Sequence, residues 1–156
     1  MPGFMIVSIV AASLTVCAKR AVAVNDEDSA VRDVLRAYMS SMSYPDPAPV
    51  DPLIFAEDVE GFASNGKTNR GRDEFVSAFK SGIAEVERGF VKFVAEPKDV
   101  MLRRSGSMAW ITCRIELRGT RTQGRGPFNQ IIRSTFVLRK QNGRWQIVHE
   151  HTSHAK

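Results

Sequence analysis

From Val31 to Met42, apolar residues return every three or four positions. Val31, Val34, Leu35, Tyr38, Met39 and Met42 share one side of a helix drawn over residues 26–43. Asn25 or Asp26 can cap that helix, and Asp26, Glu27 and Asp28 stand where its dipole favours negative charge. "SYPDPAPVDP" ends it with four prolines in ten residues. Asp51-Pro52 then predicts a short second helix through Ala56. A short strand is expected over residues 60–64, followed by the polar loop "SNGKTNRG". From Arg72 to Glu87 a third helix places Phe75, Phe79 and Ile83 on one face.

Beyond Gly89 the pattern changes to period two. Strands are predicted over Phe90–Ala95, Lys98–Arg103, Met108–Arg118, Asn129–Lys140 and Arg144–Ser153, with tight turns at Ser105-Gly106 and Asn142-Gly143. "GTRTQGRGP", residues 119–127, is a longer basic loop. Helices followed by a run of strands imply an α+β fold, with the helices on one face of a curved antiparallel sheet.

The Asn-Gly turn orients side chains. With Asn142 and Gly143 as its two loop residues, an unbroken ladder places Leu138 opposite Ile147, Phe136 opposite His149 and Ser134 opposite His151. Lys140 and Trp145 share that face. Val137 with Val148, Thr135 with Glu150, and Arg133 with Thr152 take the other. The Trp145 face is mostly apolar and covers the helices, so His149 and His151 are expected to point inward. Glu150 is expected to point outward, in a surface ion pair with Arg133. On Met108–Arg118 one face carries Ala109, Ile111, Cys113, Ile115 and Leu117, the other Trp110, Thr112, Arg114 and Glu116; either could line a pocket.

Composition adds constraints. The 156 residues suffice for one domain that buries about two-thirds of its unfolded surface. Residues 1–23 read as a signal peptide: an apolar run from Phe4 to Ala18, then Ala21-Val22-Ala23 as a small-residue cleavage site. A membrane anchor or a mis-assigned start codon are the alternatives, since Lys19 and Arg20 follow the apolar run instead of preceding it. Residues 24–156 would then be a periplasmic or secreted domain, with Cys113 its one thiol and no internal disulfide. Charge is divided: residues 24–99 carry 9 basic and 15 acidic groups, residues 100–156 carry 11 and 2. The arginines lie along strands without interleaved stacking aromatics, which points to a solvated sheet face and away from nucleic acid.

"VRDVLRAYMSSM", "FAEDVEGFASNGKTNRGRDEFVSAF", "MAWITCRIEL" and "IIRSTFVLRKQNGRWQIVHEHTS" together resemble the SnoaL-like family of the nuclear-transport-factor-2-like superfamily. The resemblance covers roughly residues 29–153 and is most specific in the closing hairpin. It implies a cone-shaped barrel in which a curved antiparallel sheet wraps the long first helix, with two further helices, around an internal pocket. It also implies dimers packed through the outer sheet face. The superfamily holds ketosteroid isomerases, polyketide cyclases, dehydratases and noncatalytic domains, so the fold leaves the reaction open.

Carried over residue by residue, the resemblance puts Tyr38 where isomerase-like enzymes hold an oxyanion donor. It puts no carboxylate at Ala63 or its neighbours in "EGFASNG", where they hold a base, and none in "IIRSTFVL", where they hold a second acid. The expected catalytic pair is therefore His151, as a base titrating near neutrality, and Tyr38. The structural alternative pairs each with a core polar group. His149, Trp110, Ser134 and Arg114 are the ligand-contact candidates; the alternatives are core packing for His149 and Trp110, a hydrogen bond to His151 for Ser134, and surface pairing with Glu116 for Arg114. His149 and His151 lack a third metal ligand at useful spacing, so neither metal nor cofactor is expected. Three functions remain: a pocket for a small, largely apolar molecule, an isomerase-, cyclase- or dehydratase-like enzyme, and a noncatalytic dimeric assembly module.

Overall fold

The acidic start of the first helix is tied directly to the basic sheet. In the computed structural model, which describes residues 26–49 and 51–155, helix α1 occupies 26–41. The carboxyl of Glu27 accepts from Lys140 Nζ and, at 2.8 Å, from Trp145 Nε1, while Asp28 accepts from Arg104 Nε at 3.0 Å. Opposite net charges in the two halves of the chain thus hold the helix across the sheet. These links also hold Glu27 below the ordinary carboxylate range, Lys140 contributing most. The proposed signal segment, residues 1–23, lies outside the described residues.

After α1 come a 3-10 turn, Pro52–Ile54, strands β1 (Phe55–Phe62) and β2 (Thr68–Arg70), and helix α2 (Arg72–Gly89). Strands β3 (Phe90–Ser105), β4 (Met108–Arg121), β5 (Pro127–Gln141) and β6 (Arg144–His154) complete the chain. The expected second helix is only that turn. Asp51 caps it through Leu53 N at 2.9 Å, but Phe55 and Ala56 are already buried in β1, and their burial outweighs helix continuation.

The six strands form one sheet in the order β2-β1-β6-β5-β4-β3. Every pairing is antiparallel except β1 with β6, so the sheet is mixed, in contrast to the all-antiparallel sheet that the sequence pattern predicts. β6 ends the meander running in the direction of β1 and inserts between β1 and β5. β3 is one 16-residue strand instead of two, with a register shift between Lys98 and Met101 and a positive φ of 52° at Asp99. Its Pro97 is tolerated because β3 is an edge strand.

α1 lays Val31, Leu35, Tyr38 and Met39 against the concave face, as its apolar stripe requires. Ala109, Ile111, Cys113, Ile115 and Leu117 of β4 point the same way, which fixes the inner face of that strand. α2 contributes Phe75, Phe79 and Val86. The arrangement is α+β, two helices on one face of a curved mixed sheet.

Candidate functional site

The closing hairpin begins as the sequence requires. Asn142 and Gly143 have φ of 51° and 78°, the conformation that Asn-Gly turns favour. Gln141 pairs with Arg144, Lys140 with Trp145, Arg139 with Gln146 and Leu138 with Ile147, all in the expected register. Then the ladder slips. Val137 pairs with His149, leaving Val148 as an extra residue, and from there Phe136 opposes Glu150, Thr135 opposes His151 and Ser134 opposes Thr152. A β-bulge of this kind reverses which residues face inward beyond it. Glu150 therefore points into the protein, and His149 and His151 point away from it.

This overturns the inward placement of the histidines, the outward placement of Glu150 and the expected Arg133–Glu150 ion pair. Arg133 donates instead to the carbonyl of His154 at 3.3 Å. His151 is exposed and His149 half-buried, their rings meeting Phe62 at 6.4 and 5.5 Å on the outer side. Neither lines the internal cavity.

Glu150 is only 7% exposed, and Tyr38 Oη donates to its Oε1 at 2.9 Å. Among the described residues, no Lys, Arg or His forms an ion pair with it. Burial consequently pushes its carboxyl up to about 7, with the Tyr38 hydrogen bond pulling the other way. Tyr38 moves upward too, through burial and then the Glu150 charge, and so remains a protonated donor. Its ring is held by Phe79 at 5.0 Å, Phe136 at 5.4 Å and Phe55 at 6.2 Å. A tyrosine fixed by three rings thus aims one hydroxyl at one carboxyl.

Gly61 of β1 is the strand partner of Glu150. A Cβ at Gly61 would lie 2.4 Å from Cε2 of Phe75, so the missing side chain lets that ring close under the site. The one carboxylate of "EGFASNG", Glu60, pairs with Arg70 and does not line the cavity; the buried acid comes from the neighbouring strand.

Tyr38 and Glu150 border a cavity of about 540 Å3. Met42, just after α1, lines it too; α2 adds Phe75, Phe79, Ile83 and Val86; the sheet adds Phe93, Ile115, Leu117, Ile132 and Thr152. Lys67 and Glu85 are the other charged lining residues.

The remaining predicted residues lie elsewhere. Trp110 stands 39% exposed on the outer sheet face, and Arg114, on the same face, pairs with Asp99, not Glu116. Ser134 is buried on the inner face but does not line the cavity, and its hydroxyl has no hydrogen-bond partner. Cys113 is inert, since burial and then the Glu150 charge push its thiol up to about 11. Among the described residues, no three His, Cys, Asp or Glu side chains gather as a metal site, and no helix is long and apolar enough to cross a membrane.

A family model described as SnoaL-like domain matches residues 31–156. No curated protein matches the chain. Similar solved structures include a Novosphingobium aromaticivorans protein provisionally assigned as a scytalone dehydratase. It has 14% identity and a TM-score of 0.69, covering 83% of this chain and 85% of that one. The hexachlorocyclohexane dehydrochlorinase LinA type 2 is 10% identical with a TM-score of 0.68, covering 84% and 86%. A Pseudomonas putida NTF2-like protein of unknown function is 19% identical with a TM-score of 0.68, covering 83% and 87%. At these identities the likeness is one of fold.

Proposed function

The chain belongs to the SnoaL-like domain family, and from that premise we propose that its internal cavity binds a small, largely apolar molecule, anchored by Glu150 and Tyr38. The observation that carries this reading is the buried Glu150 carboxyl at the cavity wall, whose one side-chain hydrogen bond among the described residues comes from Tyr38. An apolar cavity with a few convergent polar groups is the usual form of a ligand site. Such a buried, perturbed acid costs stability and marks a functional position more often than a packing one.

Thermal unfolding against steroids, polyketide-like aromatics and small acids and amines tests it. A ligand at one hundred times its dissociation constant stabilises by about 2.7 kcal/mol, a shift of several degrees for a domain this size. Glu150→Gln should diminish the shift. A ligand whose shift is unchanged in both Glu150→Gln and Tyr38→Phe would refute the assignment of the anchor.

A second reading is favoured by the titration of Glu150 near neutrality. A carboxyl poised near 7 suits a general base in an elimination or isomerisation, with Tyr38 orienting it. Two of the similar folds carry names of elimination enzymes, a dehydratase and a dehydrochlorinase. A rate that rises with pH through about 7 and vanishes in Glu150→Gln would establish it, and a flat profile would exclude Glu150 as the base.

Export of the domain after removal of residues 1–23, and a homodimer through the outer sheet face, complete the proposal. Intact mass of the exported protein tests the first. The second rests on Trp110, Ile131, Phe62 and Met101, all exposed. Trp110→Glu should lower the sedimentation mass to that of one chain.

A further inference from the structure

The cavity is unusual in what it does not offer an anion. Its interior wall carries one ionisable carboxyl, Glu150, and that group receives a single hydrogen bond. The lining cation, Lys67, is an exposed residue of the β1–β2 loop, and Glu85 on α2 is a lining residue of opposite sign. An anion brought to Glu150 would meet a second negative charge, with no Arg or His in the lining and neutral donors such as Tyr38, Thr152, Ser64 and Asn69 in place of a counter-cation. The rings of Tyr38, Phe75, Phe79 and Phe93 line the same cavity, with Tyr38 in contact with the carboxyl. A buried carboxylate needs a counter-charge, and aromatic faces attract cations; both demands are met by one kind of ligand.

We infer that the cavity takes a small hydrophobic amine, held as its ammonium ion between the Glu150 carboxylate and the aromatic wall of Tyr38, Phe75, Phe79 and Phe93. The inference rests on the proposed function in requiring that a ligand reach Glu150, and it narrows that ligand to one charge class. Attraction to a carboxyl that is itself buried is screened less than attraction to one in water, so charge discriminates here more strongly than on the surface. The ammonium supplies the counter-ion that the protein itself withholds from Glu150. Its hydrocarbon body fills the space between Ile115, Leu117 and Ile132.

A matched trio tests this by calorimetry on the full chain at pH 8: naphthylmethylamine, naphthalenemethanol and naphthoic acid, which keep one ring system and change its charge. The amine should bind at least about tenfold more tightly than the alcohol, which corresponds to about 1.4 kcal/mol. The acid should bind most weakly. In Glu150→Gln, checked for native circular dichroism, the amine preference should collapse to about onefold while the alcohol still binds. An alcohol that binds as well as the amine overturns the charge class and leaves the pocket standing. An amine preference surviving in Glu150→Gln also overturns it, by assigning the preference to Glu85 or the general surface. Failure of all three compounds to bind the folded protein counts against the amine and the small-molecule reading together.

Discussion

Replacing Glu150 by Gln should stabilise the protein, and by an amount that depends on pH in a defined way. Burial lifts the Glu150 carboxyl from an ordinary 4.5 to about 7, so the folded state binds this proton more tightly than the unfolded chain does. The stabilisation is fully present below pH 4.5 and is lost as the pH rises through about 7. The lift corresponds to about 3 kcal/mol, accumulating at about 1.4 kcal/mol for each pH step within that window. Gln keeps a carbonyl that can accept from Tyr38, occupies nearly the same volume and does not titrate.

The difference in unfolding free energy between variant and wild type should therefore be near zero at pH 4. It should climb between about pH 4.5 and 7 and level off at about 3 kcal/mol in favour of the variant. Urea titrations at half-unit pH intervals, followed by tryptophan fluorescence, would measure it, since Trp145 is buried. A difference flat to within about 0.5 kcal/mol from pH 4 to 8 would refute the reasoning, because it would mean that Glu150 ionises as if in water.

Three further substitutions probe the same geometry. His151→Ala should change stability by less than about 0.5 kcal/mol and leave ligand-induced thermal shifts as in wild type, since the side chain is exposed on the outer face; loss of those shifts would return His151 to the site. Ser134→Ala removes a buried hydroxyl without a partner, so urea unfolding should show no loss or a small gain, and a loss of about 1 kcal/mol or more would mean that the hydroxyl is bonded after all. Gly61→Ala forces the Phe75 ring from its place and should cost about 1–3 kcal/mol, while a neutral result would show that the ring yields freely into the cavity.

Much of this molecule can be read from its sequence because its signals are local. The stripe on α1, the turn at Asn142-Gly143, the alternation along β4 (though not which of its faces is inner) and the apolar face of α2 each depend on residues a few positions apart. The turn even fixes four successive pairs of the last hairpin. The site is a different matter, because it depends on parity, which a strand carries only while alternation lasts. In "WQIVHEHT" the pair Ile147-Val148 puts two apolar residues in succession, and the residues from His149 onward accept either parity. No glycine, proline or asparagine at Val148 announces a bulge.

The irregularity is shared with another strand. Between its pairs with Ile147 and His149, β1 runs from Phe55 to Glu60, five positions against two, so the ladders on both sides of β6 are irregular at Val148. Pairing between residues some ninety positions apart thus accompanies the entry of Glu150, rather than His149, into the core, and no local signal carries it. The outcome is costly, since a histidine on the outer face and a glutamate in an apolar cavity exchange the easier burial for the harder one. Only the Tyr38 hydroxyl compensates that carboxyl from within the described protein. A buried carboxyl placed at a cavity wall, without a counter-ion among the described residues, is the arrangement that the proposed ligand would complete.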